Sequence, residues 1–364
     1  MGKTMANTFD SLNPFDYKPR LIIWNISPKL DKCSQNNSKP LSIQECFSVM
    51  DSIAEFAKPI IVLSTNSCRK LNNDSFDRPD IVDLILYGNS LGHKMIVETC
   101  GHKLTQDLRN VLRTIGTKSI RILLHDRVKE SIEEGFLHDE DFSDLDQRIT
   151  ELKADGFEIQ LGINLDNYDE RAMAFAIDYS IKKNAKGIYF HLNSDNALFK
   201  KGKSARMTSN KYHNKEEIIM WIAKQKKLLP EEMYFSPQCV RYGMRHHEDM
   251  LPNTAAENEN DDNRQIYNKP QISHWCLGGK TFAYITNSGK VQICHDLKTV
   301  CGDLRKYNYN FAEIWNNSKV FNDLRNSNYS CLQTQNFITK FYTSKSIGNN
   351  ILEGGYSEIF ERQH

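Results

Sequence analysis

The stretch Leu21-Ile-Ile-Trp-Asn-Ile-Ser-Pro28 is an apolar run that ends in residues typical of turns. An apolar run without polar alternation predicts a β-strand that is buried on both faces. A second strand of the same kind, Pro59-Ile-Ile-Val-Leu63, follows it. Between them, Ser42-Ile-Gln-Glu45 has the capping-box pattern that opens a helix. The stretch therefore predicts the first strand–helix–strand unit of a parallel α/β fold.

The alternation of strands and helices continues as far as Leu192. Further strands are predicted over 94–98, 119–124, 157–163 and 187–192, and helices over 79–91, 105–115, 142–155 and 168–183. In the helix over 105–115, the predicted buried face consists of Leu108, Val111, Leu112 and Ile115. Six strands separated by helices pair in parallel through right-handed crossovers. This predicts a partial (β/α)6 barrel, with an open doubly wound sheet as the alternative that periodicity alone does not exclude.

Composition changes divide the chain into six parts. They are a lead-in over 1–19, the barrel over 20–195, a connecting helical segment over 196–250, a linker over 251–270, a small domain over 271–331 and a tail over 332–364. The linker is rich in Asn, Asp and Glu and nearly free of large apolar residues. The small domain is predicted to hold a β-hairpin, with strands at 281–286 and 290–294, and a helix over 311–325.

The overall charge offers no general attraction to polyanions. The 364 residues include 47 Lys and Arg against 46 Asp and Glu, a net charge of +1, so nucleic acid and anionic membranes are not expected partners. The first ten residues have no apolar core of a signal peptide. Nine cysteines without a secretory signal are expected to be reduced thiols or metal ligands in a cytoplasmic protein.

The two loops that follow the first and second predicted strands have sequence patterns similar to those of a known enzyme family. The loop Lys29-Leu-Asp-Lys-Cys33-Ser-Gln-Asn36 follows the first strand, and Ser64-Thr-Asn-Ser-Cys68 follows the second. In sequence and spacing the chain resembles the opening of a radical S-adenosylmethionine (SAM) enzyme, which carries CxxxCxxC and a GGEP-like turn at these places. On that pattern the three cysteines become Lys29, Cys33 and Asn36, and the glycines and acid become Thr65, Asn66 and Ser67. One thiolate cannot hold the family's 4Fe–4S cluster, so the resemblance implies a pseudoenzyme without that cluster and without SAM.

The second half extends the resemblance. Cys276, Gly289 and Cys294 have the spacing C-x12-G-x4-C, which resembles the SPASM or twitch domain of radical SAM enzymes of haem biosynthesis and peptide maturation. The cysteine-dense segment of that domain would begin at Cys331-Leu-Gln-Thr334, and no cysteine follows it. A residual iron–sulfur cluster or zinc would draw on Cys239, Cys276, Cys294, Cys301 and Cys331. The alternative is that Cys276 and Cys294 are buried apolar residues of the hairpin.

Parallel strands in a barrel place their carboxyl ends at one mouth, where ligands bind. The candidate ligand-binding residues at those ends are Cys33, Cys68, Glu98, Cys100, His125, Asp126, Asn164, His191 and Asn193. The cysteines and a histidine among them could hold zinc. The alternative is a set of ordinary loop residues without a shared ligand.

Three functional hypotheses follow. The first is a catalytically inactive accessory protein that holds a substrate or an active maturation enzyme as its protein partner. The second is a carrier of a tetrapyrrole, metal or small molecule in the barrel cavity. The third is an enzyme that uses a residual auxiliary iron–sulfur cluster. No nucleophile and base stand at a diagnostic spacing that would support other catalysis.

Overall fold

The computed structural model describes residues 17–28, 39–65, 74–124, 140–165, 170–192, 233–237, 276–295 and 299–327, with a few single positions elsewhere. For 140–142, 164–165, 170–172, 191–192 and 234–237 it describes the backbone alone. Among the described helices, none combines the length and the apolar character that a membrane span requires.

Ten strands and seven α-helices are found in the described part of the chain, together with a short 3-10 helix over Ser75–Asp77. The strands are β1 (Leu21–Asn25), β2 (Ile60–Ser64), β3 (Lys94–Thr99), β4 (Ser119–Leu124), β5 (Glu158–Leu165), β6 (Gly187–Leu192), β7 (Tyr234–Pro237), β8 (Phe282–Ile285), β9 (Lys290–Gln292) and β10 (Val300–Asp303). The helices are α1 (Ile43–Phe56), α2 (Ile81–Ser90), α3 (Gln106–Thr114), α4 (Glu140–Ala154), α5 (Glu170–Lys182), α6 (Phe311–Asn317) and α7 (Lys319–Arg325).

One mixed sheet contains all ten strands, in the order β10-β9-β8-β1-β2-β3-β4-β5-β6-β7. Strands β1 to β6 are parallel neighbours in sequence order. An unbroken order of this kind has no point at which the winding reverses, whereas a doubly wound sheet requires one. The prediction of a partial (β/α)6 barrel is therefore confirmed.

The C-terminal hairpin continues the barrel sheet. Strand β8 pairs in parallel with β1, and β9 and β10 follow as antiparallel neighbours. At the other edge, β7 pairs in parallel with β6 and comes from the connecting segment, for which the sequence predicted no strand. The radical-SAM-like barrel is thus followed by a small hairpin-and-helix unit that is joined to it by main-chain hydrogen bonds.

The two faces of the sheet have different partners. The larger hydrophobic core joins strand residues such as Ile22 and Leu63 to helix residues such as Met50. The opposite face carries a smaller apolar cluster with no helix residue, which includes Ile23 and Val62. We call this second face the inner face of the barrel.

Local signals for the helices were mostly correct. The capping box of α1 is confirmed, because Ser42 Oγ accepts from Glu45 N and Ser42 N donates to Glu45 Oε2. The buried face predicted for α3 is wrong at Val111, which is 43% exposed. The helix is rotated so that Arg109 is buried instead, where Glu151 and Asp155 neutralise its charge. The single helix predicted over 311–325 is divided at Ser318 into α6 and α7.

Candidate functional site

The structure places only part of the predicted strand-end ring. Glu98 lies near the carboxyl end of β3, and Cys100 directly follows that strand; both are buried. The backbones of Asn164 and His191 are register partners on β5 and β6. The other predicted members, Cys33, Cys68, His125, Asp126 and Asn193, lie outside the described residues.

A row of polar side chains crosses the inner face of four neighbouring strands. Ser64, Glu98, Arg121 and Gln160 stand on successive strands β2 to β5, and the last three are direct register partners. Ser64 Oγ donates to Glu98 Oε1 at 2.5 Å. We call these four residues the inner polar row. It begins at the carboxyl end of β2 and lies deeper in the barrel at β4 and β5.

Arg121 is the centre of this row. Its Nη1 donates to Glu98 Oε2 at 3.4 Å, while Nε and Nη2 donate to Gln160 Oε1 at 3.3 and 3.1 Å. The guanidinium lies 3.8 Å from the centre of the Tyr189 ring. The side chains of Arg121 and Glu98 are only 2% and 1% exposed. Charges buried this deeply are retained in proteins when they are paired, and the row provides that pairing.

A second network supports the carboxyl end of β3. Asp74 accepts from Thr99 Oγ1 at 2.8 Å and from Cys100 N at 2.7 Å. Ser75 Oγ donates to the main-chain oxygen of Glu98 at 2.5 Å. Asp74 is itself almost completely buried, so these bonds compensate for its lost hydration. The network holds the backbone at Glu98 and in the two residues that follow it, which helps to position the Glu98 carboxylate.

Most of the inner polar row was absent from the sequence prediction, which named only Glu98. A signal for Arg121 was nevertheless present, since it interrupts the apolar strand Ser119-Ile-Arg-Ile-Leu-Leu124 at an alternate position. In a strand buried on both faces, a charged side chain at such a position points into the interior and needs a partner on a neighbouring strand. Which strand supplies the partner follows from register, and register comes from the fold.

The predicted cysteine ligands of the C-terminal unit are only partly described. Cys276 is buried, Cys294 and Cys301 are half-buried, and Cys239 and Cys331 lie outside the described residues. Cys294 Sγ accepts from Leu297 N at 3.4 Å. Burial raises the pKa of the Cys301 thiol, although the charge of Arg325 acts in the opposite direction.

An iron–sulfur cluster or zinc needs about four converging ligands. Within the described residues, no three His, Cys, Asp or Glu side chains come together in a way that could hold a metal. Among the described residues, Arg325 Nη2 is buried near Cys301 and has no hydrogen-bond partner, so this part of the structure offers one donor to an anionic group. The described residues supply thiols and one such donor, but they do not supply a complete ligand set.

A groove of about 630 Å³ lies on the outside of the barrel, between α1 and the turn that precedes α6. Its walls include Asp51, Glu55 and Glu313. No member of the inner polar row lines it. The groove is therefore separate from the strand-end site that the sequence predicted.

Comparison with known proteins gives three results. Residues 276–336 match the SPASM family model, described as an iron-sulfur cluster-binding domain. The AdoMet-dependent heme synthase of Methanosarcina barkeri is 23% identical over 84% of this chain and 85% of its own length. The protein of the same name from Oleidesulfovibrio alaskensis is 24% identical over 84% of this chain and 76% of its own length.

Solved structures show the same fold. Streptococcus suis SuiB superposes with a TM-score of 0.54 at 10% identity, over 85% of this chain and 68% of SuiB. SuiB has also been solved with S-adenosylmethionine and with its precursor peptide SuiA. The sequence relatives, the matching domain model and the observed barrel agree with the resemblance drawn from the two motif frames. The chain is therefore similar to radical SAM/SPASM proteins in sequence and fold over most of its length, and residues 276–336 match the SPASM domain.

Proposed function

We propose that this protein is a catalytically inactive member of its family, which holds a substrate or an active enzyme in a maturation or cofactor-biosynthesis pathway. The observation that carries the proposal is the loop after β1. Where the family has three cysteines, this chain has Lys29, Cys33 and Asn36. A single thiolate leaves the cluster without two of its three protein ligands, and neither an ammonium nor an amide replaces a thiolate on iron.

The end of β2 supports the same proposal. Thr65 follows β2 directly and is buried, at a position where the family pattern has a glycine. A β-branched side chain restricts how closely another molecule approaches the backbone, whereas glycine leaves it open. The neighbouring Ser64 uses its hydroxyl on Glu98. The strand-end site of this chain is thus better suited to binding through side chains than to close contact with the main chain.

The test is anaerobic reconstitution with iron and sulfide, followed by an iron count and an assay for 5′-deoxyadenosine from SAM under reducing conditions. We expect no cleavage of SAM by the wild-type protein. A double variant, Lys29→Cys with Asn36→Cys, restores the thiol pattern and is expected to bind more iron than the matched Lys29→Ser with Asn36→Ser variant. Reductive cleavage of SAM by the wild-type protein would refute the proposal.

A second candidate function is transport or storage of a tetrapyrrole. It is favoured by the name of the sequence relatives, which refers to haem synthesis. Titration with iron protoporphyrin and with metal-free porphyrin, followed by visible spectra and thermal unfolding, tests it. Specific binding predicts a saturable spectral shift and a rise in unfolding temperature, because a ligand that binds only the native state stabilises it.

Two further possibilities are decided by the same preparations. A peptide partner is suggested by the SuiB structure with its precursor peptide, and fluorescence anisotropy with labelled precursor peptides measures such binding.

A residual auxiliary cluster is suggested by the SPASM match. Iron that persists in the Lys29→Ser, Asn36→Ser variant and disappears in Cys276→Ser would assign the metal to the C-terminal unit.

A further inference from the structure

The hairpin turn of the C-terminal unit holds both ends of the loop that follows β1. Asn287 Nδ2 donates to the main-chain oxygen of Ser27 at 3.1 Å, on the incoming side of the loop. The main-chain oxygen of the same Asn287 accepts from Leu41 N at 2.8 Å, on the outgoing side. One residue far along the chain thus joins the two points between which the loop runs.

Arg305 makes a second set of bonds to the outgoing side. Its Nη1 donates to the main-chain oxygen of Lys39 at 2.9 Å, and Nη2 donates to that of Pro40 at 3.1 Å. The same guanidinium binds both carboxylate oxygens of Glu45 at 2.7 and 3.0 Å. Planar, bidentate geometry of this kind is specific to arginine, since a lysine ammonium is a point charge.

Packing and a second arginine complete the arrangement. Leu41 is buried, and a Cβ added to Gly289 would stand 3.0 Å from its Cδ2. Arg78, from the barrel itself, donates to the main-chain oxygen of Leu41 at 3.1 Å. The backbone at 39–41 is therefore held from the barrel side and from the C-terminal side together.

We infer that the C-terminal unit acts as a clamp on the loop after β1, with Asn287 and Arg305 as positioning residues. This role needs no metal in the C-terminal unit, because it rests on hydrogen bonds, an ion pair and the contact of Gly289 with Leu41. It holds the described ends of that loop, Ser27 and residues 39–41, at fixed positions relative to the C-terminal unit. The inference goes beyond the proposed function and does not depend on any ligand.

The test is hydrogen–deuterium exchange of the whole protein without added ligand, followed peptide by peptide. Asn287→Ala removes the donor to Ser27 and keeps the main-chain acceptor for Leu41. Arg305→Lys keeps a positive charge beside Glu45 but loses the planar guanidinium that binds Glu45 and the main-chain oxygens of 39–40 at the same time. In each variant we expect exchange of amides in residues 27–41 to become about tenfold faster, the scale expected from the loss of one or two hydrogen bonds. Arg305→Ala is expected to have a larger effect than Arg305→Lys.

The matched control is Lys319→Met, which breaks an ion pair with Asp323 inside α7 of the same C-terminal unit and does not touch the loop. It is expected to leave exchange in 27–41 unchanged. Peptides from β4 report global stability and are expected to lose less protection than residues 27–41 in the clamp variants. Limited trypsin digestion, with cleavage after Lys29 and Lys32, gives an independent readout. Unchanged exchange in 27–41, or an equal rise in β4, would overturn the inference.

Discussion

Two arginine–glutamate pairs in this protein have the same chemistry and opposite surroundings. Arg121 and Glu98 lie on the inner face of the barrel with side chains 2% and 1% exposed. Arg305 and Glu45 join the C-terminal unit to α1 with side chains 31% and 20% exposed. The buried pair has one long contact, whereas the outer pair is bidentate.

The difference shows how burial changes what an ion pair contributes to stability. A buried pair loses hydration that its attraction only partly repays, so the cost of breaking it comes from the charge left behind. A partly exposed pair is screened by water, and its value lies in the geometry that it imposes. We therefore expect the inner polar row to control global stability and the clamp to control local order.

The largest effect is expected from Arg121→Met. Removing the guanidinium breaks the ion pair with the buried Glu98 carboxylate, and breaking a buried pair from one side costs about 3–5 kcal/mol of the free energy of unfolding. Chemical denaturation monitored by circular dichroism measures this loss.

The control for that experiment is the double variant Arg121→Met with Glu98→Leu. It removes both charges, so it is expected to be more stable than the single variant. A loss below about 1 kcal/mol in Arg121→Met would mean that the pair does not behave as a buried one.

The next effect is expected at the turn of the clamp. Gly289 has φ of +82°, and a Cβ there would press on Leu41. Gly289→Ala is therefore expected to cost about 1–3 kcal/mol. Gly156→Ala is the matched control, because Gly156 has φ of +89° and nothing within 4 Å of the added Cβ. Equal losses in thermal or chemical unfolding would show that the contact with Leu41 contributes nothing.

A smaller effect is expected at the start of α1. Ser42→Ala removes the hydroxyl that accepts from Glu45 N at 3.3 Å, and loss of such a cap costs about 1 kcal/mol. Ser48→Ala, on the exposed face of the same helix, is expected to change stability by no more than about 0.5 kcal/mol. Urea denaturation of the two variants side by side separates them, and identical midpoints would contradict the role of the cap.

The smallest effect concerns pH. Hydrogen bonding to Arg305 lowers the pKa of Glu45 from 4.5 to about 2. A lowered pKa in the folded state contributes stability above the unfolded value, and this contribution is lost as the pH falls from 4.5 to about 2. The wild-type protein is expected to exceed Glu45→Gln in unfolding temperature at neutral pH. A gap that persists at the acid end of this range would contradict the assignment.

Local patterns in the sequence were sufficient for most of the barrel. The run from Leu21 to Asn25 predicted a strand buried on both faces, and its two faces indeed pack in different clusters. Ser42 and Glu45 predicted the start of α1. These features depend on residues close together in the chain, which is why periodicity and capping rules detect them. The error at Val111 arose because apolar spacing does not show that Arg109 has acidic partners at the C-terminal end of α4, Glu151 and Asp155.

What the sequence by itself determined is the order of strands and helices from β1 to β6, the resemblance to radical SAM/SPASM enzymes and the presence of Lys29 and Asn36 where that family has cysteines. Only the tertiary structure decided that Glu98 faces Arg121, and that Asn287 and Arg305 hold the loop after β1. The physical reason is sequence separation: register between strands and contacts across 260 or more residues arise when the chain is packed. No local pattern encodes which distant group will neutralise a buried charge or accept a given hydrogen bond.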